Sequence, residues 1–157
     1  PKRITVSTSG VPKMIRKMAD DEVKFNLAVS LHSAIDEVRT QIMPFNETFP
    51  LDDLRDALIY WYEKTEKMIT YEYIVWEGIN DTRKDIDALV QYCKHVPCKV
   101  NIIEYNPIDD GEFQQAPKRA IDDYVSILEM NDIVVNVRRS RGKDIDAACG
   151  QLANKVK

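Results

Sequence analysis

Two hydrophobic periods take turns along this 157-residue chain, and that alternation restricts its fold more than any other feature. Short runs of β-branched and apolar residues fall at 4–7, 25–31, 69–75, 99–105 and 133–138, the signature of five strands. Between them, apolar residues recur three or four apart over 12–19, 51–63, 82–95 and 120–130, which predicts helices. Strands separated by crossover helices run parallel, because the helix returns the chain to the end where it started. The expected class is α/β with parallel β/α units.

Local signals mark several boundaries. Pro12 suits a first helical position, Asp81 and Thr82 offer capping oxygens, and Pro117 opens the fourth helix. The stretch 33–50 has helix-like spacing that Pro44 and Pro50 interrupt, which predicts a short helix followed by a loop. A second irregular stretch, 107–117, follows a strand end directly and is expected to form a lip over a site.

Composition excludes some partners. A net charge of -4 argues against a domain that grips nucleic acid over its whole surface, although Arg138, Arg139, Arg141 and Lys143 form one local basic run. No apolar stretch approaches the roughly 20 residues needed to cross a bilayer. Three cysteines, Cys93, Cys98 and Cys149, are an odd number without regular spacing, which favours reduced thiols. A cytoplasmic location without membrane partners is the expectation.

In parallel α/β folds, ligands bind beyond the carboxyl ends of the strands. Small or polar residues gather there: Ser7 to Gly10, then Ser30, Leu31 and His32, then Glu77 and Gly78, then Asn106 and Pro107. Alternation along a strand puts Ser30 and His32 on one face, with Val29 and Leu31 on the other. A helix-capping Ser and a His bonded to a nearby carbonyl explain that pair equally well. Cys149, just past the basic run, is either a thiol activated by cations or a small buried residue among Ala147 and Ala148. Cys93 and Cys98 flank His95 at a spacing that matches no strong zinc pattern, so helix and strand packing explains both. Tyr60, Trp61 and Tyr62 read as core and helix surface.

Five blocks occur in a telling order: STSG from Ser7, AVSLH ending at His32, TYEYIVWEGIND from Thr70, PCKVNIIEYNP ending at Pro107, and RGKDIDAACGQL ending at Leu152. In these blocks the chain resembles the C-terminal part of RlmN-type and Cfr-type radical SAM adenosine methyltransferases, from about Ile4 to Ala153. The resemblance implies a partial (β/α)6 TIM-like barrel entered at about its third strand. It implies that Ser7, Ser30, Leu31, His32 and Asn106 contact S-adenosylmethionine, and that Cys149 carries a methyl group on its sulfur. A radical made from a second S-adenosylmethionine at a reduced 4Fe-4S cluster would then activate that methyl for addition to adenine C2 of 23S rRNA, and of tRNA, with an electron-donor protein as reductant. The family's CxxxCxxC cluster motif, Gly-Glu motif, resolving cysteine and N-terminal RNA-binding region have no counterpart among these residues, so the cluster ligands are expected elsewhere in a parent protein and the chain alone is expected to be inactive.

Three other readings accompany this one: a Cfr-type enzyme acting at adenine C8, a non-catalytic binding module that keeps the scaffold, and a hydrolase using Cys149 as nucleophile. The last lacks an evident His or acid partner for the thiol. A first strand without its barrel neighbour exposes unpaired backbone groups, which leads to an expectation of edge-strand self-association.

Overall fold

The computed structural model of the protein describes residues 4–104 and 113–139. Within them, β1 (Thr5–Thr8), α1 (Pro12–Asp20), β2 (Asn26–Ser30), α2 (Asp36–Ile42), a 3-10 turn (Pro44–Glu47), α3 (Leu51–Thr65), β3 (Ile69–Tyr73), α4 (Arg83–Cys93), β4 (Cys98–Glu104), α5 (Lys118–Met130) and β5 (Val134–Arg139) follow one another. The five strands form one sheet in the order β1-β2-β3-β4-β5, every pair parallel. Sequential order with a crossover at each step is how a TIM-like barrel winds.

The two faces of the sheet have opposite chemistry. Leu27, Val29, Ile69, Tyr71, Tyr73, Val100 and Ile102 join a single apolar core with Ile15 of α1, Leu54, Leu58 and Trp61 of α3, Leu89 of α4, and Tyr124 and Leu128 of α5. Those strand residues all share one parity, so the helices cover one face. Most of the intervening residues, Thr5, Ser7, Asn26, Ser30, Thr70, Glu72, Lys99, Asn101 and Asn136, are polar and half-buried or exposed; Ala28, Ile103 and Val134 are the apolar residues among them. A sheet covered on both faces would read as near-continuous apolar runs. This one keeps a polar face open, as the inner wall of a barrel does.

Helix boundaries follow the sequence signals closely. Pro12 takes the first position of α1, where its missing N–H costs no helical bond. Thr82 caps α4 in a reciprocal box with Asp85, whose carboxylate accepts from the Thr82 backbone N–H at 3.1 Å. Pro117 is the cap of α5 rather than its first residue, with ψ of 154 in the extended range. The 33–50 stretch forms α2 and the 3-10 turn, as its broken periodicity predicts. The last strand forms where its apolar run predicts one, and Val134 and Val137 are 56% and 42% exposed, because β5 lies at the sheet edge with only β4 beside it among the described residues.

Core packing sets the stability scale. Leu58 is fully buried between α1 and the sheet. Replacing it with Ala should cost about 2–5 kcal/mol through lost transfer energy plus a cavity. The check is a fall in the urea midpoint with an unchanged slope; an unshifted midpoint would mean that α3 is not held by this core.

Candidate functional site at the strand ends

On the open face, the strand register lines up Ser30, Glu72, Asn101 and Asn136 side by side across β2, β3, β4 and β5. One step toward the amino ends, Ser7 lies opposite Ala28. The Ser7 hydroxyl nevertheless reaches over β2 and donates to Glu72 Oε1 at 3.3 Å. The row is therefore a floor of hydroxyl, carboxylate and amide groups near the carboxyl ends of the strands.

Beyond that floor the chain turns sharply. β2 ends at Ser30, and His32 adopts a left-handed backbone with φ of 59. Ser33 N–H donates to Leu31 O at 2.7 Å, closing a three-residue turn centred on His32, a strained geometry for a residue bearing a side chain. Asn80, fully buried, pins this turn: its amide donates to His32 O at 2.6 Å and to Ile74 O at 2.9 Å, while its oxygen accepts from Trp76 N–H at 2.7 Å. Tyr124 adds support from α5, donating to Asn80 O at 2.6 Å and bonded to the Tyr73 hydroxyl at 2.8 Å.

The His32 ring is consequently held in one state. Nδ1 accepts from Ile74 N–H at 3.1 Å, which assigns the proton of the neutral ring to Nε2. Burial lowers its pKa to about 3, and the Arg39 charge pushes the same way. Nε2 itself is buried and has no hydrogen-bond partner among the described residues. A buried donor left unmade costs about 1–3 kcal/mol, so its presence beside the floor marks a place where a ligand acceptor would be favourable.

Arg39 ties two strand ends together. Fully buried, it donates from Nη2 to Ser9 O at 2.8 Å and to Ser30 O at 3.0 Å, from Nε to Leu31 O at 3.0 Å, and from Nη1 to Asn46 Oδ1 at 2.9 Å. Asn46 is held by Asp36, whose Oδ1 also accepts from Leu51 N–H at 2.9 Å. Burial lowers the guanidinium pKa only to about 10, so it stays cationic at neutral pH. Gly10 completes this corner: with φ of +105, a Cβ there would lie 3.1 Å from Leu54 Cδ1 and 3.4 Å from Arg39 Nη2.

An apolar wall rises next to the floor. Ile74 and Trp76 cluster with Ile42, Ile79, Ile103 and Phe113, and the His32 ring meets Trp76 edge-on at 5.3 Å between centroids. Phe113 stands 5.3 Å from Trp76, and Gln115 pairs with Trp76 in an antiparallel bridge. The end of the 107–117 stretch thus lies against a strand end, in line with a lip; its first residues lie outside the described ones.

Of the sequence-predicted site residues, Ser7 and Ser30 lie on the open face, while His32 is buried just past the end of β2, with its ring against Trp76. Leu31 does not join them: it is buried in the core beneath the helices, and its contribution to the site is a backbone carbonyl. Asn106 and Cys149 lie outside the described residues. Two alternatives are corrected. Ser30 caps no helix, since α2 has Ile35 at its cap without a side-chain bond, and His32 accepts an amide proton instead of meeting a carbonyl. Cys93 ends α4 and Cys98 begins β4, as expected; the Cys98 thiol donates to Cys93 O at 3.4 Å. Trp61 is core, with Tyr60 and Tyr62 at its edge. Arg39, Glu72, Asn80 and Asn101 escaped the sequence reading. Polar residues at alternate places in otherwise apolar strands were the available signal for Glu72 and Asn101.

No family model matches the chain. The crystal structure of a radical SAM methyltransferase from Sphaerobacter thermophilus superimposes with a TM-score of 0.85 at 36% identity, over 94% of this chain and 43% of that one. The fold of this chain is thus similar to that of part of a radical SAM methyltransferase. More narrowly, it is a relative of the RlmN proteins: it is 76% identical over 155 residues to the "probable dual-specificity RNA methyltransferase RlmN" of Christiangramia forsetii, covering 99% of this chain and 44% of that protein. The protein of the same name from Flavobacterium psychrophilum is 72% identical over 155 residues, 99% of this chain and 45% of its own length. The chain thus spans a little under half the length of these relatives, and the resemblance read from its motifs extends over almost all of it.

The state of His32 yields a pH prediction. Its folded pKa of about 3 lies below the ordinary histidine value of 6.5, so the unfolded chain binds more protons between those values. Its contribution to stability is complete above about pH 6.5 and is lost as pH falls toward 3. Histidine NMR should show a neutral His32 ring with the proton on Nε2 down to about pH 4, and His32→Gln should flatten the acid side of the stability profile. A ring that titrates near 6.5 would contradict the buried geometry.

Proposed function

We propose that the open polar face binds S-adenosylmethionine and that the chain forms part of a radical SAM methyltransferase acting at adenine C2 of RNA, both 23S rRNA and tRNA. The observation that carries this reading is the row of Ser7, Ser30 and Glu72 near the strand ends, with the buried, unpartnered Nε2–H of His32 two residues past Ser30. Polar groups in a floor beside the apolar wall of Ile74, Trp76 and Ile103 suit a nucleoside, which offers a ring to pack and hydroxyls and nitrogens to bond. The name carried by the relatives supports RNA as substrate and the C2 type over a Cfr-type C8 enzyme. Asn106, at the end of the β4 run, completes the proposed ligand set, with Leu31 acting through its backbone.

In this reading Cys149 acts as methyl carrier. Its thiolate attacks the methyl carbon, forming the S–CH3 bond as the sulfonium S–CH3 bond breaks; the thiol proton passes to solvent and S-adenosylhomocysteine leaves. Arg138, Arg139, Arg141 and Lys143, just before it, favour the thiolate and suit an RNA phosphate backbone. The described residues do not fit a 4Fe-4S cluster: no group of three candidate ligands occurs among them, and the hydrogen bond with Cys98, then burial, push the Cys93 thiol pKa up, away from the thiolate a metal needs. Within the parent protein, the domain assignment for 1–157 is the carboxyl-terminal part of the barrel, working with an electron-donor protein in the cytoplasm. No described helix is long and apolar enough to cross a membrane.

Peptide mass spectrometry of Cys149 in the full-length protein from its host tests the proposal. One added methyl on that sulfur, absent after Cys149→Ala, is the expected result. An unmodified thiol after supply of S-adenosylmethionine and a reconstituted cluster would favour a binding module that keeps only the scaffold.

A further inference from the structure

We propose that Glu72 is a positioning residue: by accepting the Ser7 hydroxyl proton across Ala28, it fixes Ser7 Oγ as a hydrogen-bond acceptor for a donor group of the ligand. This rests on the proposal that the open face binds S-adenosylmethionine. The two residues stand on strands that are not neighbours, with β2 running between them. Ser7 is level with Ala28, and Glu72 is one step beyond, level with Ser30. Two strand spacings amount to about 10 Å of backbone separation, which a Ser and a Glu span only if both lean inward. The residue beneath them must then be small. Ala28 fills that place, 2% exposed, and the bond closes at 3.3 Å.

The direction of the bond follows from the partners. An ionised carboxylate only accepts, so Ser7 donates its single proton to Glu72 and keeps both lone pairs for the ligand. Without Glu72 the hydroxyl rotates to suit whatever approaches, and its orientation is lost on binding. A hydroxyl fixed in this sense selects donors. S-adenosylmethionine carries three kinds, the adenine amino group, the ribose hydroxyls and the α-ammonium, and the strand-end position of Ser7 is open to any of them.

A double-mutant cycle in the full-length protein tests this, reading affinity for S-adenosylhomocysteine by calorimetry. Glu72→Met, which removes the acceptor, should weaken binding about tenfold, as should Ser7→Ala, and the double variant should bind no more weakly than Ser7→Ala alone. Ala28→Val, which blocks the bridge, should reproduce the Glu72→Met loss. Because Ser7 is exposed and Glu72 is half-buried, thermal midpoints of the Ser7 and Glu72 variants should stay close to that of the parent, which separates positioning from folding. 5'-Methylthioadenosine, which keeps the adenosine and lacks the ammonium, narrows the donor: a retained Glu72 effect points to the adenosine part, a lost one to the ammonium. Undiminished affinity in Glu72→Met, or losses that multiply in the double variant, would overturn the proposal. Failure of the unmodified protein to bind S-adenosylhomocysteine would instead overturn the reading of the open face itself.

Discussion

A buried guanidinium without a carboxylate against it is costly unless each of its donors is met. Arg39 comes close to that condition: four of its five N–H groups meet three backbone carbonyls and one side-chain amide, and the carbonyls belong to the ends of two strands and the loops that leave them. The carboxyl ends of β1 and β2 are thereby fixed relative to each other at the level where Ser7 and Ser30 stand. Asn80 does the same for β2 and β3, joining His32 O, Ile74 O and Trp76 N through one amide. Two buried polar side chains thus set the mutual position of three strand ends, and the open floor inherits its geometry from them. Networks of this kind are specific because partial satisfaction is expensive.

Uneven dress on the two sides of the sheet explains how one scaffold serves both stability and binding. The helix side carries nearly all the large buried apolar residues, so the open side is free to be polar without loss of a core. Its one apolar group, around Ile74 and Trp76, sits just past the strand ends, where it can enclose a flat ring. A left-handed His32 at the junction stores strain at the point where a ligand acceptor would meet its unpartnered Nε2–H.

Much of the fold was legible in the sequence because periodicity reports burial directly. Runs such as Ile69 to Tyr73 alternate in both apolarity and burial, and the helix spacing of α3 and α4 maps onto the residues that enter the core. The site was legible in part: strand-end position singled out Ser7, Ser30 and His32. What stayed hidden depends on long-range contacts that no local pattern encodes. Arg39 reads as one more charged residue on a short helix, and only the tertiary structure brings Ser9 O and Ser30 O to it. Alternation also assumes a regular strand, so it could not foresee the turn at His32, nor that Leu31 would serve through its carbonyl. The exposure of β5 was hidden for a related reason: β-branched runs signal strands, while burial depends on what lies beside them.

A crystal structure of the full-length protein with S-adenosylmethionine bound tests the central claim most directly, which is that the polar face at the ends of β1 to β3 is the ligand site. The account predicts the adenosyl group over Ser7 and Ser30, with a ligand acceptor on His32 Nε2 and the ring against the Ile74 and Trp76 wall. Ligand density elsewhere, with Ser7, Ser30 and His32 making no contact to it, would contradict it.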